Sequence, residues 1–195
     1  MIYNSLLYFI IFKNEFFSGI KIHAQISKNM VNTINSPTAV DINEGPTVSV
    51  MGDTYSVVIG GEQTNGSYSL IDMLIPPGGG PAPHSHPSYQ EAFYILKGEI
   101  NVITKEKRYT AKQGSYVNIP FNGPIHKFTN ETNSVVRFLC FLTPAGMEKM
   151  FLEVGKPVTA DTLLPIPQLT SETLKRLQSI AEKYGLKLYP LDYFD

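Results

Sequence analysis

The chain has 195 residues, 43% of them hydrophobic and 17% charged, with a net charge of -1. That length can bury a sizeable core in one domain, and a near-neutral chain without a Lys/Arg run offers no electrostatic basis for binding nucleic acid or an anionic membrane. The single cysteine, Cys140, rules out an intramolecular disulfide and a Cys-x-x-Cys zinc or redox motif, which fits a reducing compartment.

Residues 1–35 stand apart from the pattern that follows. Met1 to Phe12 (MIYNSLLYFIIF) is apolar but too short to span a bilayer, which takes ~20 residues. It lacks the basic flank and small-residue cleavage site of a signal peptide. An upstream extension, with Met30 as the natural initiator, is the expected reading, and a cytoplasmic location follows. An atypical export signal and a helix packed on the rest of the chain are the other two. His23 falls here and reads as a surface residue.

From Thr47 onward the chain alternates. Thr47–Met51 and Thr54–Ile59 are rich in β-formers and are divided by Gly52-Asp53, a turn signal. Ser67–Ile75 predicts a strand with Ser69, Ile71, Met73 and Ile75 on one face. Pro76–Pro83 (PPGGGPAP) is a loop, and Gln90–Leu96 resumes as a strand. Glu99–Thr104 and Arg108–Ala111 form a hairpin around a charged tip. Ser115–Ile119 and a strand carrying His126 follow, with Phe128 on the face of His126. In Ser134–Leu142, Arg137 is expected to face water and Val136, Phe138 and Cys140 to face in. Cys140 reads as a small buried hydrophobe rather than a nucleophile. With 15 glycines and 14 prolines, these strands suit an antiparallel barrel or sandwich. The tail changes character. Pro144–Val154 places Met147, Met150, Phe151 and Val154 at helical spacing, and a second helix runs from Thr170/Ser171 to Tyr184, ended by Gly185. Its stripe is Leu174, Leu177, Ile180 and Ala181. The expected division is residues 1–35 as an extension of uncertain structure, 36–143 as the barrel, and 144–195 as a helical tail packed on it.

Four histidines are present, His23, His84, His86 and His126, and two of them form a period-2 pair. In an extended strand His84 and His86 share a face and Ser85 points away. Neutral imidazoles suit Zn, Cu, Fe and Ni. If Glu91 faces in, it does so beside Phe93 and Ile95, where a carboxylate is costly unless it is paired or bound to metal. His126 completes a set of three imidazoles and one carboxylate, which leaves open positions on an octahedral ion.

These residues also resemble a known pattern. Gly78, five residues, His84-Ser85-His86, four residues, Glu91, six residues and Gly98 reproduce the first cupin motif, G-x5-H-x-H-x4-E-x6-G. Gly114, Pro120, Gly123, His126 and Asn130 resemble the second, G-x5-P-x-G-x2-H-x3-N, with one extra residue between Pro120 and Gly123. The resemblance implies an all-β cupin-type double-stranded β-helix, a jelly-roll barrel, here with two C-terminal α-helices. It implies His84, His86, Glu91 and His126 as ligands of one divalent transition metal ion (Fe, Mn, Ni, Cu, Co or Zn). The barrel followed by two helices is similar to the small cupins grouped with quercetin 2,3-dioxygenases. That likeness implies dioxygen chemistry on a flavonol- or enol-like substrate. Glu91 would then be the catalytic base, leaving the metal to take the hydroxyl proton with a pKa raised by its dry surroundings. Met73, Phe93, Phe128 and Phe138 are the expected apolar, substrate-binding wall. A non-catalytic metal- or small-molecule-binding cupin and a metal-dependent isomerase or lyase are the alternatives. The partners implied are a small molecule, dioxygen and a second copy in a homodimer.

Overall fold

A computed structural model describes residues 37–168 and 170–195. The readings made for Met1–Phe12, His23 and Met30 lie outside the described residues. Among the described residues, twelve strands and two helices follow in order: β1 (Thr47–Val50), β2 (Asp53–Ile59), β3 (Ser69–Ile75), β4 (His84–Ser85), β5 (Gln90–Lys97), β6 (Glu99–Thr104), β7 (Arg108–Lys112), β8 (Tyr116–Ile119), β9 (His126–Thr129), β10 (Val136–Thr143), α1 (Met147–Val154), β11 (Lys156–Pro157), α2 (Ser171–Lys183) and β12 (Lys187–Leu188). They form two sheets, one in the order β11-β1-β2-β3-β10-β5-β8 and one in the order β12-β4-β9-β6-β7. Every pairing is antiparallel.

The period-2 pattern builds the barrel as the sequence predicts. On β3, Ile71, Met73 and Ile75 are buried, and on β10 so are Val136, Phe138, Cys140 and Leu142. Ile95 of the first sheet and Ile100, Val102 and Ala111 of the second join them in one apolar cluster. On the outer face Arg137 grips the buried Asp72 with three hydrogen bonds of 2.8 to 3.1 Å. The chain passes from one sheet to the other at Gly98, between β5 and β6, with φ 79°. That left-handed corner suits glycine, and a Cβ there would press on Val136 Cγ2 at 3.0 Å.

Three features differ from the sequence reading. The β1–β2 turn is made by Met51 and Gly52, both at positive φ (56° and 99°), rather than by Gly52-Asp53. Two residues of positive φ are what a tight hairpin of the right twist requires. Asp53 thereby becomes the first residue of β2 and points into the barrel, where it is 2% exposed.

The tail also adds a two-residue strand to each sheet. β11 pairs with β1 and β12 with β4, so Lys187 lies opposite Ser85 and Leu188 opposite His84. Finally, only the C-terminal half of α2 packs. Ile180 and Ala181 are buried, whereas Leu174 is 48% exposed. Thr170 caps this helix by accepting the Thr173 N–H at 3.1 Å. On α1, Met147, Met150 and Phe151 enter the core, with Phe151 edge-to-face on Tyr55 at 5.0 Å.

Candidate metal centre

His84, His86, Glu91 and His126 come together at one end of the barrel. β4 and β9 are antiparallel neighbours with His84 opposite His126. The turn from His86 to Tyr89, closed by the Tyr89 N–H on the His86 carbonyl at 3.0 Å, carries the chain across to the other sheet. There Glu91 enters on β5 between Leu142 and Ile119. His84 and His126 thus belong to the strands of one sheet, His86 to the turn that leaves it, and Glu91 to the other sheet. The preceding loop is drawn tight at Gly80, φ 128°, where a Cβ would overlap the Phe128 carbonyl.

One ligand atom from each of the four side chains lies within 4.8 Å of all the others. The imidazole centroids are 4.3, 5.0 and 5.6 Å apart. None of the four residues is more than 5% exposed.

The hydrogen bonds fix how these groups face one another. Each histidine turns Nδ1 to a backbone carbonyl: His84 to Ala82 at 2.9 Å, His86 to Tyr89 at 3.2 Å, and His126 to Pro124 at 3.0 Å. That network assigns the proton to Nδ1 and leaves the Nε2 lone pair free, the arrangement that orients metal-binding imidazoles. Glu91 Oε2 lies 3.1 Å from His86 Nε2 and 3.3 Å from His126 Nε2. With each Nδ1 already protonated, those contacts set lone pairs against a carboxylate oxygen unless a cation lies among them. An added proton or a metal ion answers that need, and the buried 3-His/1-carboxylate set fits a divalent ion.

The electrostatics follow from burial and proximity. Burial, with His126 alongside, depresses His84 to about 3. Burial also works against charge on His86, but the Glu91 carboxylate outweighs it and the net direction is up. For Glu91, burial pushes the pKa up, yet the His126 and His86 contacts prevail and hold it well below the ordinary carboxylate range. The raised value expected from dry surroundings is therefore reversed, because the same dry site brings two imidazoles against the carboxylate.

Phe93, Phe128 and Phe138 form a mutually edge-to-face trio with centroids 5.1 to 5.3 Å apart. By strand parity Phe93 and Phe128 lie one inward step beyond Glu91 and His126. Met73 pairs with Phe138 deeper still. All four are 0 to 3% exposed and belong to the packed core.

Sequence reasoning missed one contact. The Cys140 thiol donates to Glu91 Oε1 at 3.4 Å. Parity placed Cys140 inward, but only the β10–β5 register puts it diagonal to Glu91. Burial pushes its pKa well above the ordinary thiol value, and Glu91 adds to this.

Residues 71–142 match the cupin domain. That match runs from β3 to β10 and takes in all four converging side chains. It is 22% identical over 121 residues to quercetin 2,3-dioxygenase of Bacillus subtilis (strain 168), covering 62% of this chain and 35% of that protein. It is 30% identical over 76 residues to an uncharacterised protein of Methanocaldococcus jannaschii, covering 39% of this chain and 60% of that one. The chain thus spans about a third and about three fifths of the lengths of these curated relatives. Among solved structures, a predicted oxalate decarboxylase from Thermotoga maritima superposes with a TM-score of 0.50 at 22% identity, over 55% of this chain and 99% of that one. That likeness concerns the fold. Among the described residues no helix is long and apolar enough to cross a membrane.

Proposed function

We propose that this chain is a metal-dependent oxidoreductase of the dioxygenase type, acting on a small enol- or flavonol-like molecule. One divalent transition metal ion would be held by His84, His86, Glu91 and His126. The observation that carries this reading is the buried convergence of four ligand atoms within 4.8 Å, with every Nδ1 tied back to a carbonyl. The likeness to quercetin 2,3-dioxygenase supports the reaction class. When bound, the ion supplies Lewis acidity and positions for exogenous ligands beyond the four protein donors.

The chain's own residues supply the rest. The backbone carbonyls of Ala82, Tyr89 and Pro124 fix the three imidazole orientations. Phe93 and Phe128, one strand step inward from Glu91 and His126, would give a bound substrate apolar neighbours, which suits an aromatic enol better than a sugar. Glu91 would serve as the base for a substrate hydroxyl only where its Oε2 is released from the ion. A small-molecule substrate and dioxygen are the partners this reading requires.

A second reading has one observation in its favour. No ligand is more than 5% exposed, which suits a non-catalytic metal-binding cupin. The separating experiment is oxygen consumption with flavonols and other enols after loading Fe, Mn, Ni, Co, Cu and Zn in turn. Substrate-dependent uptake with one of these ions is expected. Stoichiometric metal with no uptake on any substrate would favour the binding protein.

A further inference from the structure

Glu91 divides its two oxygens between different partners. Oε2 faces His86 and His126, whereas Oε1 takes the Cys140 thiol at 3.4 Å. Among the described residues this is the only hydrogen bond to Oε1. Glu91 is 5% exposed and Cys140 is fully buried, so solvent is a poor substitute. Cys140 sits on β10 between Ile71 of β3 and Phe93 of β5. An alanine or valine there would suit that apolar setting equally well but would leave Oε1 buried without a donor, which is costly. The thiol is not a fifth ligand, since it does not belong to the set of four converging atoms.

We infer that Cys140 is a positioning residue for Glu91: its S–H holds Oε1 away from the ion, so that the carboxylate binds through Oε2 alone. The inference rests on the proposed metal site and adds the denticity of its one carboxylate. A bidentate Glu91 would occupy a further position of an octahedral ion, one that is otherwise open to substrate. Without the thiol, Oε1 has no buried partner other than the ion and turns toward it.

The test is infrared difference spectroscopy of the full-length protein, Zn2+-loaded minus metal-free. Monodentate carboxylates show a wide separation between antisymmetric and symmetric stretches, and chelating ones a narrow separation. The wild type is expected to show a wide pair that disappears in Glu91→Gln. Cys140→Ala should narrow it, and Cys140→Val, which keeps apolar bulk without the donor, should do the same. Cys140→Ser, which keeps a donor, should return it to wide. A merely structural role would not produce that rescue.

A wild-type protein that already shows the narrow pair overturns the inference, as does a Cys140→Ala or Cys140→Val protein that keeps the wide one. The metal reading fails separately, and the inference with it, if Zn2+ produces no carboxylate bands in the wild type or if the bands persist in Glu91→Gln.

Discussion

Asp53 gives the sharpest energetic test of the fold. It is 2% exposed, its Oδ2 accepts only a long 3.3 Å hydrogen bond from Tyr55, and its Oδ1 has no hydrogen bond of good geometry. Burial raises its pKa from 3.8 to about 7, with the Tyr55 hydroxyl and the nearby Gly80 N–H offsetting only part of the cost. Between those two pH values the folded chain holds a proton that the unfolded chain has lost. Stability therefore falls as pH rises through this window. At 1.36 kcal/mol per pH unit the total is about 4 kcal/mol. Asp53→Asn keeps the shape and an acceptor but cannot ionise. Guanidinium unfolding of both proteins at pH 4.5, 6 and 8 should show a variant advantage that grows by about 3 kcal/mol between pH 4.5 and pH 8. Parallel pH profiles, or a variant weaker than wild type at pH 8, would refute the reasoning.

The remaining predictions concern single contacts. Arg137→Met leaves the buried Asp72 carboxylate unpaired and should cost about 1 to 3 kcal/mol, read from the denaturant midpoint; adding Asp72→Asn should recover most of the loss. Phe138→Ala empties the centre of the aromatic trio and should cost about 3 to 5 kcal/mol, seen as a lower melting temperature. Thr170→Ala removes the cap of α2 and should cost about 1 kcal/mol. Because the first half of that helix is exposed, the effect should appear as faster hydrogen exchange there and leave barrel exchange unchanged.

Much of the site could be read from the sequence because two regularities are local. The alternation of strands puts His84 beside His86, and Ile71, Met73 and Ile75 on one face, without knowledge of any partner strand. The spacing from Gly78 to Gly98 fixes how many residues separate the two histidines from Glu91, and the turn at Pro87–Tyr89 then brings them together. What lay beyond reach depended on register between distant strands. Cys140 meets Glu91 because β10 pairs with β5 with Leu142 opposite Glu91, and neither segment encodes that offset by itself. The strands β11 and β12, each of two residues, carry no periodicity. Asp53 was hidden by its own type, since aspartate after glycine signals a turn. Met51 takes the strained position instead, and the carboxyl is left inside. The stripe of α2 overstated its contact because helical spacing reports a possible face rather than its partner, and only Ile180 and Ala181 find one.

The central claim is that these four side chains hold one divalent ion. Metal analysis after purification, and again after loading with Fe, Mn, Ni, Co, Cu and Zn, tests it most directly. Near-stoichiometric metal is expected in the wild type, with strong loss in His84→Ala and His126→Ala and an unchanged β-rich circular dichroism spectrum. Full metal retention in both variants, or no metal in the wild type under every loading condition, would contradict it.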